Sequence, residues 1–181
     1  MITGNLVGLR AVEKGDLEFL RDWRNNPDFR KNFREVRELS LLDQESWLES
    51  LSKTKHINFM FVVVRLEDNK PIGAAGLLYI NWINRAADFS FYIGEQKAYI
   101  DNEGYSLEAT RLLMDYGFKN LNLNKIWMEL YEFDHAKLKF FKEQFKFQVD
   151  GKLRDNCFEE GRYFDSYIIS ILKDEYLKLT F

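Results

Sequence analysis

Residues 104–134 read GYSLEATRLLMDYGFKNLNLNKIWMELYEFD, and the hydrophobic period changes partway through. Ala109, Leu112, Leu113 and Tyr116 recur at three- and four-residue steps, the stripe of an amphipathic helix. Residues 125–131, KIWMELY, then read as a strand. Just upstream, Ala87, Phe89, Phe91 and Ile93 alternate with Asp88, Ser90 and Tyr92, which makes a strand with one strongly apolar face. Strand, helix and strand in that order form a βαβ unit, and this reading decides for an α/β fold.

Working outward, DHAKLKFFKEQF (134–145) reads as a shorter helix, and YFDSYIISIL (163–172) as a strand reached through a turn at Glu160–Gly161. Towards the N-terminus, NLVGLRA (5–11) alternates like a short strand. Asp16 offers an N-cap to a helix carrying Leu17, Leu20 and Trp23, which should end in WRNNP because the residue before Pro27 is pushed out of the helical region. A second helix starts from Ser40, with Asp43 completing a capping box and Trp47, Leu48 and Leu51 as its buried stripe. FMFVVVRLEDNKPIGAAGLLYI then supplies two strands around the polar turn Glu67–Lys70. The expected architecture is a mixed, mostly antiparallel sheet with helices on both faces, in one domain spanning 1–181.

Composition narrows the function classes. Hydrophobic residues make up 46% of the 181 and include 16 Phe, enough for a sizeable core, and the net charge is −3. With no long Lys/Arg run, nucleic-acid binding is not expected. One cysteine (Cys157) and two histidines argue against an internal disulfide and a metal cluster. The longest apolar stretches, INFMFVVV and IGAAGLLYI, fall short of the ~20 residues that span a bilayer. The N-terminal MITGNLVGLRAVEKGD lacks a signal-peptide core. A cytoplasmic protein without membrane association is the expectation.

Residues 99–110, YIDNEGYSLEAT, join the apolar-faced strand to the following helix. A glycine-bearing loop opening a helix is a common phosphate site, because unpaired N–H groups point there. Here, however, the loop carries Asp101 and Glu103, and Glu108 lies one turn into the helix.

The segments GYSLEATRLLMDYGFKNLNLNKIWMELYEFD and DGKLRDNCFEEGRYFDSYIISIL resemble the GNAT superfamily of acyl-CoA-dependent N-acetyltransferases. The likeness is to the branch holding ribosomal-protein N-terminal, polyamine and nucleotide-amino-sugar acetyltransferases. WRN (Trp23, Arg24, Asn25) and the hairpin G-x-L-R…G-x-Y-x-D (Gly151, Leu153, Arg154, Gly161, Tyr163, Asp165) belong to the same resemblance. It implies direct transfer of an acetyl group from acetyl-CoA, as co-substrate, to a primary amine on a small molecule or peptide. The chain would act as a monomer or homodimer. A nucleotide-linked amino sugar or a protein N-terminus is the expected acceptor. A GNAT-fold ligand-binding module with a degenerate cofactor site is the alternative.

The resemblance also implies site residues. Phe91, Tyr92, Ile93 and Gly94 would line the pantetheine arm with their main chain, and amides near Ile93 would stabilise the oxyanion. Asn102, Glu103, Gly104, Tyr105 and Ser106 match the pyrophosphate loop. That loop is about three residues longer than the family pattern and has acidic Asp101 at its first position, with Lys97 nearby to help.

Asp134 and Phe141 match the family's asparagine and thiol-protonating tyrosine, and phenylalanine cannot donate a proton. Tyr131 and Tyr105 are candidate substitutes. Asp88 and Glu129 are candidate bases for the amine; the structural alternative is a strand-face carboxylate paired with Arg or Lys. Arg24, Asn25, Arg34, Arg37 and Trp82 would face the acceptor. With Arg30, the arginines could clamp an anionic group, or form a salt-bridged surface beside Glu35 and Glu38. No metal is implied.

Overall fold

A computed structural model describes residues 1–180. Its organising element is an eight-stranded sheet in the order β1-β2-β3-β4-β5-β6-β8-β7. The strands are β1 (Ile2–Thr3), β2 (Val7–Ala11), β3 (Phe59–Arg65), β4 (Lys70–Asn81), β5 (Ala86–Ile93), β6 (Lys125–Tyr131), β7 (Gln148–Glu159) and β8 (Arg162–Leu172). Every neighbouring pair is antiparallel except β5 and β6, which run parallel because a helix carries the chain from one to the next.

The helices are α1 (Leu17–Asn25), α2 (Pro27–Arg30), α3 (Leu41–Lys53), α4 (Tyr105–Asp115), α5 (His135–Gln144) and α6 (Lys173–Tyr176). They cover both faces of the sheet. On one face, Leu113 and Met114 of α4 and Phe141 of α5 pack with Phe89, Phe91 and Ala75. On the other, Leu20 of α1 and Phe29 of α2 pack with Ala74 and Tyr92, with Trp47 of α3 beside them. Adjacent residues Ala74 and Ala75 thus enter different cores, as the two-residue strand period requires.

Several boundaries differ from the sequence reading, each for a local reason. The strand expected from residue 5 begins at Val7, because the N–H groups of Asn5, Leu6 and Val7 all donate to the Glu108 carboxylate at 2.8, 2.6 and 2.8 Å. Asp16 does not cap α1. Its carboxylate accepts the Glu13 N–H at 2.8 Å and pairs with Arg10 at 2.7 Å. The first helix does stop in WRNNP, but Pro27 then opens the extra turn α2, where its missing N–H costs nothing. The capping box at Ser40 and Asp43 is present. Beyond Asp115, α4 widens into a π turn (Tyr116–Asn120) before β6. Among the described residues, no helix is long and apolar enough to cross a membrane.

Candidate active site: the split between β5 and β6

β5 and β6 pair over only three positions, Ala86 with Lys125, Ala87 with Ile126 and Asp88 with Trp127. Beyond Asp88 the strands part, while β5 stays bonded to β4 as far as Ile93. Gly94 donates its N–H to Ile72 O at 2.8 Å. Hydrogen bonding alternates along an antiparallel pair, so even-numbered residues here face β4 and the main chain of Phe91 faces the split. Ile93 shares that parity, but its N–H is donated to Tyr99 O at 3.0 Å and its carbonyl accepts the Tyr99 N–H at 2.9 Å. The Ile93 N–H itself is thus taken, which narrows the expected oxyanion donor within the segment 91–94. The amide facing the split is that of Phe91.

Below the split lies a cavity of about 590 Å³. It brings together Arg24, Arg34, Arg37, Asp88, Phe91, Tyr92, Glu129 and Phe141 of the sequence-derived candidates, and adds Lys137. Asp88 is 5% exposed. Arg34 reaches across from the irregular segment 31–40 and places Nη1 2.6 Å from Asp88 Oδ2 and Nε 3.4 Å from Glu129 Oε2. Burial raises the Asp88 carboxyl above its ordinary range, and the neighbouring guanidinium offsets that only in part. Glu129 is fixed from behind, because its Oε1 accepts from Ser166 Oγ at 2.7 Å and Asn156 Nδ2 at 2.6 Å.

Three of the four arginines, Arg30, Arg34 and Arg37, are neutralised by neighbouring carboxylates. Arg37 pairs with Glu35 at 2.7 Å, and the Arg37 hydrogen bonds hold the Glu35 carboxyl down at about 2. Arg30 pairs with Glu38, and Arg34 is shared by two acids. Arg24 lies 4.4 Å over the Phe33 ring, and its Nε is buried with no hydrogen-bond partner.

The loop between β5 and α4 answers the question raised by its acids. The Asp101 carboxylate turns inward and accepts the main-chain N–H groups of Glu103, Tyr105 and Ser106 at 2.8, 3.0 and 2.5 Å. The Ser106 hydroxyl donates to the same carboxylate. Gly104 makes the turn possible with φ +97°, a left-handed conformation that side chains disfavour. Asn102 and Glu103 are exposed, as is Lys97. The loop is tied to the β3–β4 hairpin through Glu95, which pairs with Arg65 at 2.7 Å and Lys70 at 2.5 Å. Gln96, Lys97 and Tyr99 take φ of +53°, +54° and +56°, all without being glycine. Tyr99 then bridges the split, its hydroxyl donating to Asp134 Oδ2 at 2.6 Å.

The other candidates sit as follows. Asp134 caps α5, accepting the Lys137 N–H at 3.2 Å. Asn25 makes two 2.8 Å hydrogen bonds to the main chain of Leu39, so it fixes the segment after α2 and does not face an acceptor. Trp82 lies outside the cavity in the β4–β5 turn and donates to His56 O at 2.8 Å. Gly94 is held under Trp23, so tightly that a Cβ there would lie 2.1 Å from the indole. Phe141 is fully buried against Phe89 and Phe147, with centroids at 5.5 and 5.2 Å. Tyr105 stands at the head of α4, and the Tyr131 ring lies tilted against Phe133 at 5.5 Å; neither lines the cavity. Burial raises the Cys157 thiol, which does not line the cavity.

A split parallel pair, an amide nest at the following helix and a carboxylate-lined cavity thus lie together beside β5. The family model for the GNAT acetyltransferase domain matches residues 7–143, and the chain belongs to that family. It is 32% identical to the spermidine N(1)-acetyltransferase of Vibrio cholerae over 171 residues, 93% of this chain and 94% of that one. The solved spermidine N-acetyltransferase of the same organism, in complex with CoA and spermine, superposes with a TM-score of 0.85 at 28% identity, covering 97% of this chain and all of that one. A dodecameric form of that enzyme gives 0.76 at 28% identity, covering 97% and 98%. The relatives thus lend no support to the expected monomer or homodimer.

The chain is accordingly an N-acetyltransferase, with acetyl-CoA as co-substrate, and not a mere ligand-binding module. Its residues fit that donor. The amides at the head of α4 already hold an anion, the Asp101 carboxylate, and the Phe91 main chain offers an unpaired strand edge.

Proposed function

We propose that this enzyme acetylates a primary amine of a cationic, polyamine-like acceptor. The observation that carries the reading is the pair Asp88 and Glu129, which hold one guanidinium between them inside the cavity. Two carboxylates arranged around a cation suit an ammonium, and the solved relative is described with spermine bound. Arg34 is half exposed on a segment without helix or strand, so an incoming ammonium can take its place. The nucleotide-linked amino sugar, favoured by the arginines, loses that support, and the curated relatives include spermidine acetyltransferases. Arg30, Arg34 and Arg37 each already face a carboxylate.

Bound acetyl-CoA supplies an activated acetyl thioester. The amides of Glu103, Tyr105 and Ser106 hold its pyrophosphate once Asp101 has turned out. The Phe91 N–H polarises the carbonyl, a donor of a kind worth roughly 3–4 kcal/mol. Asp88 takes the amine proton, and its raised pKa suits that role. Glu129, braced by Ser166 and Asn156, orients the acceptor's charge.

The test is thiol release from acetyl-CoA with spermidine, a nucleotide-linked amino sugar and a peptide bearing a free N-terminus. Release with spermidine alone is expected. Release confined to the sugar nucleotide or the peptide would sink the reading.

A further inference from the structure

Among the described residues, two cations of the cavity, Arg24 and Lys137, face no carboxylate in an ion pair, and of the two only Lys137 can yield a proton near neutrality. It stands in the first turn of α5, is 8% exposed, and lines the cavity with Asp88, Phe91 and Glu129. Its Nζ lies 4.5 Å from the Tyr99 ring centroid and 5.9 Å from that of Phe33. Among the described residues this ammonium makes neither an ion pair nor a hydrogen bond. Burying an unpaired charge is costly, so its presence in a reaction cavity points to use.

Aminolysis of a thioester releases a thiolate, which needs a positive neighbour and a proton. The cavity arginines do not release protons near neutrality. Phe141, one helical turn beyond Lys137, has none to give. The Tyr99 hydroxyl is held by Asp134, and burial keeps the Tyr92 phenol up at about 12. We infer that Lys137 is a catalytic residue of the transfer, stabilising the departing thiolate and giving it a proton.

The bound ammonium first gives one proton to solvent by way of Asp88. Then, as the neutral amine nitrogen bonds to the acetyl carbon and the carbon–sulfur bond breaks, the bonding pair stays on sulfur. Asp88 receives one proton from the amine, and Lys137 delivers one to the sulfur. Asp88 then loses its proton to solvent and Lys137 regains one, leaving the enzyme unchanged. The charged groups facing Lys137 are Asp134 at the head of its own helix, Arg24 of α1 and Asp88 of β5. Burial lowers the ammonium to about 8, which makes it a better proton donor to a departing thiolate than an ordinary lysine.

The inference rests on the transferase activity and not on which amine is accepted, so its first readout needs no acceptor. In the protein bound to CoA, the thiol is titrated by its thiolate absorbance. The wild-type complex should titrate below free CoA measured in the same buffer. Lys137→Met should move the titration up by at least about one pH unit, the change expected when a neighbouring charge is removed. Lys137→Arg keeps the charge and should keep the low titration, yet lose turnover by ~10²-fold or more, because a guanidinium does not yield its proton. Unchanged thiol titration in Lys137→Met, or full turnover in Lys137→Arg, would overturn the assignment. Because Lys137→Arg conserves the charge, its turnover decides the question even if the Met variant misfolds.

Discussion

The Asp101 carboxylate receives the Ser106 N–H at 2.5 Å at the opening of α4, where a helix N-terminus holds a phosphate. An internal anion therefore competes with the donor's pyrophosphate for the same amides. Asp101→Ala should bind acetyl-CoA several-fold more tightly in calorimetric titration. It should also lose ~1 kcal/mol of stability, the usual contribution of a capping side chain. Weaker binding would mean that Asp101 supports the bound loop and does not compete with the cofactor.

Asp88→Asn should lower turnover by ~10²–10⁴-fold, the range for loss of a general base. Since Asp88 must be ionised to accept a proton, wild-type activity should fall as pH drops through its raised pKa, and the variant should lack that limb. Initial rates of thiol release across pH decide it. A wild-type rate in Asp88→Asn would transfer the role to Glu129.

Lys137 should depress stability as well as support turnover. Its pKa is about 8 in the fold against 10.5 for an ordinary lysine. Between those values the unfolded chain binds more protons than the native one, so the native protein gains stability as pH rises from about 8 to 10.5. The difference corresponds to at most ~3 kcal/mol. Lys137→Met should therefore be the more stable protein at pH 7, with the two unfolding free energies converging towards the alkaline end. Denaturant unfolding at several pH values gives the comparison, and parallel curves would contradict it.

Gly94→Ala would set a methyl group 2.1 Å from the Trp23 indole. Overpacking of that kind costs ~1–3 kcal/mol. Tryptophan fluorescence should report the displaced ring, and Trp23→Leu in the same chain should recover most of the loss. Full stability of the single variant would show that the indole yields without penalty.

The fold was legible because its elements announce themselves locally. The stripe Ala109, Leu113 and the alternation Ala87, Phe89, Phe91 need no tertiary context, and neither does the capping box at Ser40. Asp88 and Glu129 were legible for the same reason, as acids on two neighbouring strands. What failed depends on where a flexible side chain turns. Asp101 reads in the sequence only as an acid at the first position of a phosphate-type loop, yet unpaired amides attract whichever anion is nearest, and four residues of chain bring its own carboxylate there. Tyr99 claimed the Ile93 amide through a fold-back that no periodicity announces. Lys137 did leave a signal. It precedes Phe141 by four residues and Phe145 by eight, which places a lysine on the buried stripe of α5.

The three left-handed residues Gln96, Lys97 and Tyr99 give the loop the character of a loaded spring. Each non-glycine residue held there stores ~1–2 kcal/mol. The loop stays shut because the ion pairs of Glu95 and the hydrogen bonds of Tyr99 and Asp101 outweigh that strain. A cofactor that displaced Asp101 and let these residues leave the left-handed region would recover that strain, and would need less binding energy than the number of broken contacts suggests.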